Sequence, residues 1–167
     1  MLVNLKKLGI LTLLERKFMK VRIDERLEDA QMIKSWAKFL KAKKIIIAND
    51  EIEKMDLEKE IIRMSLDHIR VDFIQVEKLK DKLENEDNKE SLIFVKKPED
   101  LKSLEDDKIS SIELGFMAFK EGFKLLSENC YVCPKDLKFF KEIMGKGIDI
   151  FMQDNPYSTK KNINYFI

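Results

Sequence analysis

Long apolar runs are missing from this chain. None approaches the roughly 18 residues that a membrane-spanning helix needs, so the sequence offers no candidate span. Cysteine is scarce. Cys130 and Cys133 are the only two, too few for a secreted disulfide framework. Five glycines and three prolines leave little room for linkers or long structureless loops. An excess of one charge is also absent. The 32 Lys and Arg nearly balance 31 Asp and Glu, for a formal net charge of +1. Such a balance lacks the electrostatic footprint of a nucleic-acid or anionic-membrane binder, so no nucleic-acid partner is expected.

What is present suits one ordinary domain. The 167 residues are 44% hydrophobic, enough for a normal core. At the N-terminus, Lys6-Lys7, Leu8 to Leu14 and Glu15-Arg16-Lys17 follow in series. This resembles a short signal peptide, but the apolar part is brief and no small-residue cleavage site follows. Residues 1–17 are therefore expected to form an amphipathic helical extension. Leu5, Leu8, Leu11 and Leu13-Leu14 would give its apolar face, ahead of a domain at 18–167.

The remainder alternates between strand and helix signals. Met19 to Ile23 reads as a strand, and Asp29 to Lys43 as a helix with Trp36, Phe39 and Leu40 in its core. Ile45-Ile46-Ile47 is a β-branched run that fits a strand buried on both faces. Ile52 to Leu66 reads as one helix, with Asp50 or Asp56 near its start. Arg70 to Gln75 and Ser91 to Val95 are strands, separated by a short, highly charged helix at Glu77 to Asn85 within a solvated helix and turn at 77–90. Pro98 opens another helix. Ile109 to Leu114, Leu125 to Val132 and Ile148 to Met152 are further strands, and Pro134 to Met144 is a helix. The expectation is a three-layer α/β fold with a mostly parallel sheet of six to seven strands and helices on both faces.

In such folds ligands bind beyond the C-terminal ends of the strands. That rule gathers the loops 24–30, 49–51, 96–98 and 115–122 on one rim. The first is the most chemically loaded, with Arg22 and Arg26 among Asp24, Glu25, Glu28 and Asp29. Strand, polar loop and helix N-terminus in series favour an anion there. Asn49, Asp50, Lys96 and Lys97 are further rim polar residues, and Asp50 serves as either a helix cap or a site residue. Phe116 and Phe119 are either an apolar partner surface or pocket filling. Cys130-Tyr-Val-Cys133 has redox spacing, but Cys130 falls in a strand, and both thiols read as reduced and structural. Two cysteines do not make a zinc site.

Five blocks, in order, resemble one family. They are R-I-D-E-R-L-E-D-A-Q (Arg22 to Gln31), I-I-I-A-N-D-E (Ile45 to Glu51), L-I-F-V-K-K-P-E-D (Leu92 to Asp100), G-F-M-A-F-K-E-G (Gly115 to Gly122) and K-G-I-D-I-F-M-Q-D-N-P (Lys146 to Pro156). The family is the IIB components of the mannose/fructose/sorbose class of the bacterial phosphoenolpyruvate-dependent sugar phosphotransferase system. The resemblance implies a cytoplasmic phosphoryl carrier at the periphery of a membrane transporter complex. A loop histidine there takes a phosphoryl group from a IIA protein and passes it to a sugar held by membrane IIC and IID components. It implies no cofactor and no metal.

Arg22, Asp24, Arg26 and Gln31 match the family pattern. The departures fall on the acceptor. Asp29 stands at the phosphohistidine position, preceded by Glu28 and followed by Ala30. Ala118 stands at the position of a second family histidine, and Phe116 at that of a glycine. The one histidine, His68, precedes the third strand, at the far end of the sheet from the rim. Whether the chain is an enzyme is thus left open.

Three readings follow. In the first, Glu28 and Asp29 pair with Arg22 and Arg26 and mimic the phosphorylated carrier in a non-catalytic component. In the second, Asp29 accepts phosphate as an acyl phosphate, with Asp24 and Glu25 helping to hold Mg²⁺. In the third, the subunit only scaffolds the transporter or is a relic with no present role. The N-terminal segment and the aromatic tail also offer surfaces for a homodimer.

Overall fold

The computed structural model describes residues 19–85, 90–104 and 109–167. The expected extension at 1–17 lies outside the described residues. β1 (Met19–Ile23) is the hub of a seven-stranded sheet. It lies between β4 (Ser91–Val95) and β5 (Ile109–Leu114). β2 (Lys44–Ala48) and β3 (Arg70–Ile74) extend the sheet beyond β4. β8 (Asp149–Met152) and the short β9 (Lys161–Asn162) extend it beyond β5. Pairing is parallel except for β9 on β8. The expected three-layer architecture is the one observed.

The β-branched run explains the middle of the sheet. Ile45, Ile46, Ile47 and Ala48 have no exposed surface, so β2 is covered on both faces. Each isoleucine buried in this way contributes about 2 kcal/mol relative to exposure. Alternate residues supply two separate cores. Ile45, Ile47 and Phe94 pack with Ile33 and Trp36 of α1 (Ala30–Phe39) and Ile62 of α2 (Asp56–Ser65). On the other face, Val21, Ile46, Ile93 and Ile150 pack with Leu79 of α3 (Leu79–Asn85) and Phe140 of α4 (Pro134–Gly145). Among the described residues, no helix is long and apolar enough to cross a membrane.

Four local expectations are corrected. The helix expected over Ile52 to Leu66 is a 3-10 turn (Ile52–Lys54) followed by α2. Asn49, not Asp50, holds that turn: its Oδ1 accepts from the N–H groups of Glu51 and Ile52 at 3.1 and 3.0 Å. The helix after Pro98 is only a 3-10 turn (Pro98–Leu101), with Asp100 accepting from the N–H groups of Lys96 and Lys97. The strand expected over Leu125 to Val132 is a hairpin of β6 (Lys124–Ser127) and β7 (Cys130–Val132). Asn129 makes its turn in the left-handed region at φ 60°, which asparagine tolerates better than most residues. Finally, Phe39 is 51% exposed rather than core. It leans edge-on against the buried Trp36, with ring centroids 5.8 Å apart.

Candidate functional site: a buried arginine–aspartate cluster under an acidic loop

The strand β1 ends on the rim and delivers two charged side chains into the interior. Arg22 and Asp24 both have 0% side-chain exposure. Parallel register sets Arg22 beside Phe94 on one side and Glu113 on the other. The Arg22 guanidinium lies 3.9 Å from the centroid of the Trp36 ring, so α1 roofs it with an aromatic face. Its Nε and Nη2 donate to Asp24 Oδ2 at 3.2 and 2.9 Å. Nη1 and Nη2 donate to the main-chain carbonyls of Gln153 and Asp154 at 3.0 and 3.1 Å. A lysine in its place has no such fork of donors.

Asp24 is the centre of the cluster. Besides Arg22, it accepts from the N, Nε and Nη2 of Arg26 at 3.0, 2.9 and 2.8 Å. Five hydrogen bonds therefore converge on one carboxylate. Burial works against its charge, but the Arg26 hydrogen bonds and the two positive charges win, and its pKa lies below the ordinary value. Arg26, hydrogen-bonded to the same carboxylate, is shifted up. Arg26 is 32% exposed and also approaches Asp154 at 3.8 Å. Gly115 makes the cluster possible. A Cβ there would lie 2.0 Å from Asp24 Oδ2 and 2.3 Å from Arg22 Nη2.

The acidic pair after Arg26 does something else. Asp29 is the N-cap of α1. Its Oδ1 accepts from the N–H groups of Gln31 and Met32, both at 3.0 Å. Glu28, Asp29 and Gln31 are exposed. Among the described residues no ion pair joins Glu28 or Asp29 to Arg22 or Arg26, so the pairing expected from sequence is not formed. Asp24 sits two residues from each arginine and is already buried with them, and it takes both.

The loop after β5 does meet the first loop. Glu25 N–H donates to Phe116 O at 2.8 Å, and Lys120 pairs with Glu25 at 3.2 Å. The Arg26 guanidinium lies 5.5 Å from the Phe116 ring. Ala118 is half-buried between Met117, which bonds to the hairpin backbone, and the exposed Phe119. Phe119 stacks edge-on with Tyr131 at 5.3 Å.

Beyond Glu25 lies a cleft of about 680 Å³ whose lining includes Asn49, Asp50, Lys96 and Lys97. Its cations are matched by acids: Lys96 pairs with Glu51 at 2.6 Å and Lys97 with Glu99. Asp50 accepts from Val76 N–H at 2.9 Å, which ties two rim loops together.

The other candidates separate from the site. His68 is exposed on the turn before β3, at the opposite end of the sheet. Cys130 is buried beside Met117 sulfur at 3.8 Å, and burial pushes its thiol up to about 12. Cys133 stands at the N-cap of α4, where its N–H donates to Asp136 at 3.0 Å. Among the described residues, no group of three or more His, Cys, Asp or Glu could hold a metal ion. Asp24 has its lone pairs filled by N–H donors and Glu25 is paired with Lys120, so the Mg²⁺ set of the second reading is not assembled.

Four contributors were not singled out from sequence: Gly115, Glu113, Gln153 and Asp154. Glu113 had a signal, as the one charge in the strand I-S-S-I-E-L. It is 1% exposed and takes Lys160 at 3.0 Å. The Gln153 and Asp154 contacts with Arg22 run through main-chain carbonyls, which no side-chain pattern marks.

Comparison with known proteins identifies the family and the fold. The model of the sorbose subfamily IIB component of the phosphotransferase system matches residues 18–167. The N-acetylgalactosamine-specific phosphotransferase enzyme IIB component 2 of Escherichia coli K12 is 27% identical over 139 residues, covering 81% of this chain and 88% of the relative. The sorbose-specific EIIB component of Klebsiella pneumoniae is 25% identical over 134 residues, covering 77% and 82%. The crystal structure of the E. coli N-acetylgalactosamine-specific IIB component 1 superposes with a TM-score of 0.74 at 21% identity, covering 87% of this chain and 97% of the other. That of the IIB domain of the K. pneumoniae sorbose permease gives 0.68 at 21% identity, covering 89% and 93%. The folds are the same. On the match over residues 18–167, the chain belongs to the sorbose subfamily of phosphotransferase-system IIB components.

Proposed function

We propose that this protein is a IIB component that docks in its transporter without carrying a phosphoryl group. IIB components of this system work with IIA and with membrane IIC and IID components. The same partners are proposed here: a IIA phosphoryl donor and a IIC/IID pair, approached from the cytoplasm at the membrane surface. One observation carries the proposal. Position 29 is an aspartate whose Oδ1 is engaged by two backbone N–H groups, and the chain's histidine is at the other end of the sheet. Imidazole chemistry at the loop is therefore absent.

What remains resembles a phosphorylated surface. Glu28 and Asp29 add two negative charges at the α1 N-terminus, comparable with the roughly −1.5 to −2 of a phosphate group. They face outward and leave the arginine cluster to Asp24. A partner that recognises the charged state of a IIB loop meets that charge permanently.

The test uses the phosphoenolpyruvate-driven donor chain and intact mass. Wild type is expected to gain no phosphoryl mass, and an Asp29→His, Ala30→Gly double variant to gain it. A phosphoryl adduct on wild type that hydroxylamine removes would identify Asp29 as an acyl-phosphate carrier and overturn the proposal. Affinity for the IIA protein is expected to drop in Glu28→Gln, Asp29→Asn. Unchanged affinity refutes the mimicry.

A further inference from the structure

The helix α2 carries an apolar stripe that is open among the described residues. Leu57, Ile61 and Met64 are 69%, 47% and 78% exposed. Steps of four and three residues put all three on one face of the helix. A different face packs on the sheet, through the buried Ile62. Together the three side chains expose on the order of 300 Å² of apolar surface, the scale at which a patch on a single chain calls for an occupant.

The chain has a segment of matching character. Residues 1–17 precede β1 and carry the leucines expected on one helical face, Leu5, Leu8 and Leu11 among them. The point where this segment joins the fold favours their meeting. Lys20 of β1 is in register with Leu92, the adjacent Ser91 with Lys44, and Lys44 with Arg70. Arg70 opens β3, four residues after Leu66 caps α2. The start of β1 and the end of α2 therefore lie at the same end of the sheet. β3 is three strand spacings from β1, about 14 Å. Residues 1–17 as a helix would span about 25 Å, enough to cross that distance.

Charge agrees with the match. Lys6, Lys7, Arg16 and Lys17 outnumber Glu15 in the segment. Asp56 and Glu60, beside the stripe, pair with Lys59 and Arg63 yet keep 95% and 62% of their side chains exposed. A second copy would offer the same leucines. A tethered segment, however, acts at an effective concentration of ~1 mM or more, above that of a free chain. We propose that residues 1–17 dock as a helix on the Leu57, Ile61 and Met64 stripe of their own chain. The segment is then a built-in cover for α2.

The test places a nitroxide on Lys7→Cys, opposite Leu5 and Leu8 on a helix, in the full chain with Cys133→Ser. Cys130 is buried and stays unlabelled. The readout is the ε-methyl signals of ¹³C-methyl methionine. Met64 is expected to lose most of its intensity and to regain it when the nitroxide is reduced. Met144, packed against the core on the other face of the sheet, is expected to keep its intensity. The Met64 loss should disappear in Leu5→Asp, Leu8→Asp, Leu11→Asp and, separately, in Ile61→Glu, an exposed position that spares the core. An unaffected Met64 overturns the proposal, and so does a loss that survives Ile61→Glu. Nitroxide-bearing chain without ¹³C is also mixed with ¹³C-labelled chain lacking the nitroxide. Loss of the Met64 signal in that mixture identifies a second copy as the occupant and overturns the proposal.

Discussion

A methyl group at position 115 has nowhere to go. The backbone cannot retreat, because Gly115 N–H donates to Ile23 O at 2.8 Å and so belongs to the strand interface. Its Cβ would stand 2.0 Å from Asp24 Oδ2, 2.3 Å from Arg22 Nη2 and 2.8 Å from Arg22 Cζ. Neither partner is the loose end of a surface side chain. Overpacking alone costs about 1–3 kcal/mol. Separating a buried ion pair adds to that, up to the ~3–5 kcal/mol seen when one partner is lost. Gly115→Ala is therefore expected to cost about 3 kcal/mol, a large share of the ~5–15 kcal/mol typical of a domain. Urea unfolding followed by circular dichroism measures it. With m of ~1–3 kcal/mol/M, the midpoint falls by roughly 1–3 M. Gly145→Ala is the control: a Cβ there meets nothing within 4 Å, and the change should stay within about 0.5 kcal/mol. In an Arg22→Met background the cost of Gly115→Ala should shrink, because two of the three clashing atoms are gone. A cost under about 0.5 kcal/mol in the wild-type background refutes the packing described for this cluster.

Three further outcomes are expected. Asp72 accepts from Lys82 and Arg70; burial opposes its charge, yet these donors bring its pKa from 3.8 to about 2. A depressed folded pKa gives stability that is present above the unfolded value and is lost as the pH falls through the folded one, so most of the deficit of Asp72→Asn at pH 6 should be gone near pH 2 in urea titrations. A deficit as large at pH 2 as at pH 6 refutes the linkage. Asp29→Ala should cost about 1 kcal/mol by loss of the α1 cap, and Asp29→Asn much less, in the same assay. Lys160→Met takes the lysine partner from the buried Glu113 and should cost about 2 kcal/mol, most of it recovered by adding Glu113→Gln; additive costs refute the coupling.

The sheet was legible because its strands carry continuous β-branched runs and its helices a 3.6-residue period. Ile45 to Ile47 cannot be anything but central. Several of the misreadings turned on local side-chain and turn contacts rather than on periodicity. Asn49 closes a 3-10 turn where Asp50 looked equally able, since both have the short side chain that bonds to nearby N–H groups. Asn129 reverses the chain inside what reads as one strand, because the residues on both sides are apolar. At the site, the sequence reading put two arginines beside the first loop but paired them with Glu28 and Asp29, whereas both bond to Asp24. Asp24 directly follows β1 and is buried, whereas Glu28 and Asp29 are exposed on the turn and the cap. Charge order along the chain does not distinguish a carboxylate that turns in from one that turns out.

Arg22 also ties the beginning of the domain to its end. Its carbonyl acceptors come 131 and 132 residues later. The helix α1 and its cap need only local contacts, which form quickly, but the arginine's fork fills only when β8 has docked against β5. Without residues 153 and 154 in place, the Arg22 guanidinium lacks two of its acceptors. The arginine cluster is therefore complete only when the segment after β8 is in place. A late slip in β8 leaves a charge stranded in the interior, so a misregistered last strand is penalised at the first one.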